Sequence, residues 1–150
     1  MIKKLYDSIC TKTEDTEALG AALARDILSS GETKIHVAMY GELGAGKTAF
    51  VRGLASVIAP HAKVHSPTYT IVNEYHGGKL QIFHFDMYRI ADEDDLYSIG
   101  YWDYTKRDGI IVTEWSENAE YTLPQSYYTV KIAYIDSGRR IEIYHTEQNT

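Results

Sequence analysis

Residues 35–58 read IHVAMYGELGAGKTAFVRGLASVI, and the order of residue types along this stretch decides the fold. Ile35 to Tyr40 is a short, largely apolar run ending at Gly41. Thr48 to Ile58 shows helical apolar spacing until Pro60 stops it. The predicted order is strand, glycine loop, helix. The loop GELGAGKT satisfies G-x-x-x-x-G-K-[S/T], with Gly41, Gly46, Lys47 and Thr48 in register. Glycine makes up roughly 7% of residues, so chance gives such a match about once in a few hundred chains of this length, before the strand and helix are counted. The physical reason for the pattern is that successive backbone N–H groups must closely face a phosphate. That needs residues without Cβ atoms, and the N-terminus of the following helix adds a dipole that favours anions. Gly41, Gly44 and Gly46, with Ala45 between the last two, line that cradle. Lys47 is suited to reach the β- and γ-phosphates, and the Thr48 hydroxyl to enter the shell of a Mg²⁺ ion.

Working outward, residues 13–29 carry Ala18, Leu19, Ala22, Leu23, Ile27 and Leu28 at helical spacing, with Glu14 and Asp15 near the positive end of the dipole. Tyr69 to Tyr75 and Leu80 to Asp86 read as two strands joined by His76, Gly77, Gly78 and Lys79, which implies an antiparallel hairpin. Asp92 to Ile99 suits a short acidic helix, and Gly109 to Trp115 (GIIVTEW) a buried strand. Tyr127 to Ile135 and Arg139 to His145 are β-branched and Tyr-rich around a turn at Asp136, Ser137 and Gly138, so a second hairpin ends the sheet. The fold class expected is α/β, a P-loop NTPase-like three-layer fold with a mixed β-sheet flanked by helices.

A phosphate loop names no reaction, so carboxylates must be sought elsewhere. Asp86 closes LQIFHFD and Glu114 closes GIIVTEW. If both strands lie beside the loop's strand, the two side chains converge on one edge, one suited to the metal and one to polarising an attacking water. The residues do not say which does which. His84 and Asp86 are two apart on one strand and share a face. Two ligands make no metal site, and a His bonded within the sheet or orienting Asp86 is the better reading. In Ser66-Pro67-Thr68, Pro67 fixes its own φ and pushes Ser66 into extended geometry, so that Thr68 stands on a stiff loop, able to sense the γ-phosphate or its Mg²⁺.

The whole chain of 150 residues, 44% hydrophobic and 24% charged, suits one domain over 1–150 with one core. A net charge of -6 and the lack of any run of Lys and Arg argue against direct, tight binding of DNA or RNA. Cys10 is the single cysteine, so neither an internal disulfide nor a multi-cysteine metal cage can form within one chain, and a reducing compartment fits. The start, MIKKLYDSICTKTED, lacks a continuous apolar segment, and no later segment reads as a membrane span, so a cytoplasmic location is expected.

The loop, SPTY (66–69), NEY (73–75), HFDMYR (84–89), the stretch from Asp92 to Gly100 with Asp103, and EWSE (114–117) occur in one order that resembles the TsaE (YjeE) family over roughly residues 13–124. The resemblance implies an ATP-binding protein that works with TsaD and TsaB in making N6-threonylcarbamoyladenosine beside the anticodon of tRNAs. ATP hydrolysis there resets the partner complex, and tRNA is met only indirectly. It further implies Lys47 and Thr48 in the loop, Thr68 as a switch residue, Asp86 for Mg²⁺, and Glu114 with Trp115 near the nucleotide. Lys47, Asp86 and Glu114 are thus the candidate catalytic residues, and Thr48, Asp86 and Glu114 the candidate metal ligands. The chain departs from the family at Ala49, where a second Thr is usual, and at Met87, where Leu is. After about Pro124 no family signature is legible. Tyr97, Tyr101, Trp102 and Tyr104 crowd one segment and form a candidate surface for TsaD, against burial in the chain's own core.

Three rivals share parts of this pattern. A small-molecule or nucleoside kinase needs an Arg-rich lid, for which Arg89, Lys106 and Arg107 are thin. A GTPase switch would use TKRD (105–108), yet that tetrapeptide precedes an apolar run instead of following a strand. A non-enzymatic binding module would bind nucleotide without turnover.

Overall fold

The computed structural model describes residues 1–42, 46–67, 71–78 and 80–148. The chain runs β1 (Ile2–Cys10), α1 (Thr13–Ser30), β2 (Lys34–Gly41), α2 (Lys47–Ile58), β3 (Val72–Tyr75), β4 (Ile82–Asp86), α3 (Glu93–Ser98), α4 (Tyr101–Tyr104), β5 (Gly109–Glu114), β6 (Ser126–Ile135) and β7 (Gly138–Glu147). Two 3-10 turns, Ser116–Asn118 and Glu120–Thr122, link β5 to β6. Among the described residues the strands form one seven-stranded sheet in the order β1-β7-β6-β2-β5-β4-β3. β2 pairs in parallel with β5 and β6, and β4 with β5, while the remaining pairs are antiparallel. The sheet is therefore mixed, as the sequence implies.

Each helix begins and ends for a local reason. Asp15 accepts from the backbone N–H groups of Thr11 (3.2 Å) and Lys12 (3.1 Å), which satisfies donors left open at the start of α1. Gly31, at φ 75°, closes that helix with a bond from its N–H to Leu28 O. Asp92 caps α3 by accepting from Asp95 N at 3.1 Å. α1 and α2 cross closely: a Cβ at Gly53 would stand 1.9 Å from Glu17 O, and one at Gly20 would stand 2.2 Å from Phe50 O. Two glycines thus let the backbones touch, and α2 is pinned with its N-terminus at the sheet's edge.

Strand alternation sorts the core into two faces. Ile35, Val37 and Met39 of β2, with Ile110 and Val112 of β5, pack beneath α1 and α2 against Leu23, Ile27, Phe50 and Leu54. Phe83 and Phe85 of β4 and Ile111 of β5 point to the other face, against Leu96 of α3 and Tyr101 of α4. Helices therefore flank both faces, giving the α/β layering expected. Each fully buried Leu, Ile or Phe contributes roughly 1.5–3 kcal/mol relative to exposure.

The structure refines three readings of the sequence. β1 was not foreseen: Lys3, Lys4 and Asp7 break its apolar pattern because it is an edge strand, paired only with β7 and largely exposed. Its polar residues meet Arg140 and Glu142 of β7, so charge pairing stands where apolar burial would have been legible. The condition that both carboxylate strands flank the loop's strand holds for β5 alone, since β5 lies between β4 and β2, yet Asp86 and Glu114 still end as register partners. Tyr101 is fully buried, its ring 5.0 Å from Phe85 in an edge contact, so it belongs to the core and offers no docking surface, while Tyr97 is 65% exposed.

Candidate functional site

The parallel strands β2, β4 and β5 end at the same edge of the sheet, where α2 begins. Asp86 and Glu114, the last residues of β4 and β5, are register partners. Even-numbered residues of both strands face the α1/α2 side, so His84, Asp86 and Glu114 share one face and Lys47 descends onto it from the first position of α2. All four are buried: Lys47 is 4% exposed, Asp86 7%, Glu114 6% and His84 0%. Burying an ammonium and two carboxylates costs several kcal/mol per ion unless partners compensate, so the partners must be accounted for one by one.

Lys47 Nζ donates to Gly41 O at 2.9 Å, lies 3.9 Å from Glu114 Oε1, and sits 4.6 Å above the Trp115 ring. The chain makes this possible by turning left-handed at Trp115 (φ 57°), which swings the indole under the ammonium. An exposed Tyr88 stacks on the same indole at 5.0 Å. Asp86 Oδ1 accepts from Tyr88 N at 2.9 Å, which leaves Oδ2 without a partner among the described residues. Thr48, half-buried, follows Lys47 in the first turn of α2.

Glu114 has a second partner in His84, and of the two roles the sequence offers that His, bonding within the sheet is the one found. His84 does not orient Asp86; its Nε2 lies 2.5 Å from Glu114 Oε2. An ionised carboxylate only accepts, so Nε2 carries the hydrogen. On the far side, His84 Nδ1 faces the Tyr75 hydroxyl at 3.3 Å, and that hydroxyl donates to His65 O at 3.0 Å. Burial pushes the Tyr75 phenol up from its ordinary value, keeping it protonated. Asn73 adds a bond from Nδ2 to the same carbonyl at 3.0 Å. Tyr75 and Asn73 belong to the NEY stretch, whose alternation puts both side chains on the face toward residues 61–67. Ile71 O accepts from Asp86 N at 2.8 Å, and Ile71 N donates to Pro67 O at 2.7 Å, with Ile71 held at φ 70°. A β-branched residue there is strained by about 1–3 kcal/mol.

At the loop, Gly46 has φ 101° and its O accepts from Phe50 N at 3.0 Å, opening α2. A Cβ at Gly46 would stand 3.2 Å from Cδ and Nε of Arg139, whose Nε is buried without a hydrogen-bond partner among the described residues. Arg139, carried by β7, brings a cation beside the loop from nearly a hundred residues away, and nothing local to it could have signalled this.

The structure thus brings together Gly41, Gly46, Lys47, Thr48, Asp86, Glu114 and Trp115. Gly44, Ala45 and Thr68 lie outside the described residues. The oxygen donors of Thr48, Asp86 and Glu114 suit a hard cation such as Mg²⁺. No group of three or more His, Cys, Asp and Glu side chains able to hold a metal occurs among the described residues. Such a cation would therefore need phosphate oxygens to complete its shell, the usual arrangement for Mg²⁺ on a nucleotide. Asp108 of TKRD lies before β5 and pairs with Lys34 at 2.8 Å, in the wrong place to read a guanine. Among the described residues no helix is long and apolar enough to cross a membrane.

Fold and site together define an α/β protein in which Gly41, Gly46 and the start of α2 meet at the carboxyl edge of a mixed sheet, with two buried carboxylates at the same edge. Residues 10–141 match the model of the family described as "Threonylcarbamoyl adenosine biosynthesis protein TsaE", and the chain belongs to that family. The match extends past Pro124 into β7, where the sequence reading had found no signature. The chain is similar to proteins named tRNA threonylcarbamoyladenosine biosynthesis protein TsaE. The one from Haemophilus influenzae is 44% identical over 75% of this chain and 71% of that protein. The one from Treponema pallidum is 33% identical over 88% of this chain and 94% of its own. Among solved structures it is similar to that of Bacillus subtilis YdiB, with a TM-score of 0.72 and 27% identity, covering 96% of this chain and 86% of that one.

Proposed function

We propose that this chain is an ATPase of tRNA threonylcarbamoyladenosine biosynthesis, binding and hydrolysing Mg-ATP to support turnover of a TsaD–TsaB complex in the cytosol. The observation that carries the reading is Lys47: a buried cation at the head of α2 whose strongest bond is to the neutral Gly41 carbonyl and whose nearest carboxylate is 3.9 Å away. Such an ammonium is poised to exchange a weak partner for phosphate oxygens, with backbone amides and helix dipole beside it. Bound Mg-ATP would supply a γ-phosphoryl group already polarised by the metal.

The chain's own groups divide the remaining work. Asp86, with Oδ2 open, and Thr48 hold the cation. Glu114, fixed at Oε2 by His84, keeps Oε1 toward Lys47 and the loop, where it orients the attacking water and accepts its proton. Trp115 shields the ammonium from solvent, which strengthens its field on the phosphates. The negative net charge fits a protein that docks on a tRNA-modifying complex without gripping tRNA itself.

The test is multiple-turnover tRNA threonylcarbamoylation with TsaD and TsaB, ATP or a non-hydrolysable analogue, and either wild type or Asp86→Ala. Sustained modification with wild type and ATP alone, and a single round with the analogue or the variant, supports hydrolysis in a reset step. Equal yields in all arms would rule it out.

A further inference from the structure

A buried polar row that the proposed function uses at one end alone is Glu114–His84–Tyr75–His65. It starts at the carboxylate, passes through an imidazole with 0% exposure and a phenol with 4%, and ends on the main chain next to Ser66-Pro67. A fully buried imidazole with Nε2 donating to Glu114 and Nδ1 against the Tyr75 hydroxyl has one ring orientation that serves both contacts, so moving either end disturbs the other. The same segment is tied to the second carboxylate strand, since Asp86 N donates to Ile71 O and Ile71 N to Pro67 O. His65, Pro67 and Ile71 therefore grip both strand ends: the β5 end through side chains, the β4 end through backbone.

We infer that His84 is a positioning residue for Glu114, and that Tyr75 couples the place of this carboxylate to the conformation of the segment around Ser66 and Pro67. When that segment sits as it does here, His65 O and the Tyr75 hydroxyl hold the imidazole, and the imidazole aims Glu114 Oε1 at the loop. When the segment shifts, the phenol follows its acceptor His65 O away from Nδ1, and the carboxylate loses its aim. Two further features support a switchable clamp over inert packing. Ile71, in a backbone region unfavourable for a β-branched residue, stores strain that a shift would release. The row also spans three strands, β3, β4 and β5, and its polar atoms face one another although Tyr75 is packed in the apolar core. His84 acts through Glu114 and touches no nucleotide, so it tunes the chemical step and leaves binding nearly alone.

This inference rests on the hydrolytic reading, and the experiment separates the two. In a Trp102→Phe background, so that Trp115 is the single indole, the full chain and its His84→Ala, His84→Gln and Tyr75→Phe variants are compared. Three readouts are taken: Mg-ATP affinity by calorimetry, single-turnover hydrolysis with protein in excess, and Trp115 fluorescence on binding. Expected are affinities within about threefold of wild type throughout. Hydrolysis should be slower by about 10- to 100-fold in His84→Ala and by about 3- to 10-fold in Tyr75→Phe. Partial recovery is expected in His84→Gln, whose amide N–H can still donate to Glu114. The fluorescence change should shrink in His84→Ala, because Trp115 follows Glu114 directly. Hydrolysis in His84→Ala equal to wild type overturns the positioning role while leaving ATP hydrolysis intact. Equal loss in His84→Gln and His84→Ala, with affinity lost in parallel and a lowered Tm, reduces His84 to a structural residue and also overturns it. A wild type that binds Mg-ATP without hydrolysing it removes both this inference and the hydrolytic reading.

Discussion

Two halves of one sheet spend charge in opposite ways. At the edge where β2, β4 and β5 end, Lys47, His84, Asp86 and Glu114 are all under 10% exposed and bonded to one another or to main chain. At the other side, β1 and β7 carry Lys4, Asp7, Arg140 and Glu142 as a surface network in which Asp7 takes two bonds from Arg140, at 3.0 and 2.8 Å, and one from Lys4. The surface network is the more richly connected, yet exposed pairs contribute about 0–1 kcal/mol each. The buried group is sparsely connected and expensive to desolvate. A buried ammonium whose closest partner is a neutral carbonyl fits the proposed anion-binding role of this edge, whereas the surface network keeps β1 in register.

The sharpest way to break this contrast is Lys47→Ala. Affinity for Mg-ATP should fall at least about 100-fold by calorimetry, while the circular dichroism spectrum stays unchanged, because the lost group met a neutral carbonyl. An unfolded variant would instead make Lys47 a structural residue. A second test uses His36, buried on β2 with its Nε2 3.3 Å from Thr113 Oγ1. Burial alone lowers its pKa to about 4. Its folded value lies below the unfolded one, so the unfolded chain binds the proton more readily and stability is lost as pH falls from about 6.5 toward 4, by up to roughly 3 kcal/mol. Urea melts across that range should show the decline in wild type and a flatter profile in His36→Gln. The smallest effect belongs to the surface network. Arg140 first, then Lys4, holds the Asp7 carboxyl well below the usual carboxylate range, yet solvent screens these bonds. Asp7→Asn should lower the thermal midpoint only slightly at neutral pH, with the difference shrinking further in molar salt. A larger loss would mean that β1 is more than an edge.

How much of this was legible in the sequence follows from how far apart the interacting residues are. Ile35–Ile58 disclosed strand, loop and helix because each signal is local: apolar run, glycines, helical spacing, Pro60. Asp86 and Glu114 were visible as carboxylates closing apolar strands. Their neighbourhood was not, because the insertion of β5 between β2 and β4 is a matter of pairing, on which a single strand's pattern is silent. The same limit explains His84. Its spacing from Asp86 suggested a local partner, but consecutive strands in register placed Glu114, thirty residues on, against its ring. Arg139 beside Gly46 and the burial of Tyr101 are likewise consequences of packing. β1 escaped because an exposed edge strand needs no apolar alternation to pair.

The edge holding Lys47, Asp86 and Glu114 is proposed to bind a magnesium-loaded triphosphate. The most direct test is a calorimetric titration of the folded wild type with ATP at millimolar Mg²⁺, repeated with Mg²⁺ chelated. Saturable one-to-one binding that weakens by about tenfold or more without the cation is the expected result. No heat from folded protein at millimolar Mg-ATP would contradict the claim.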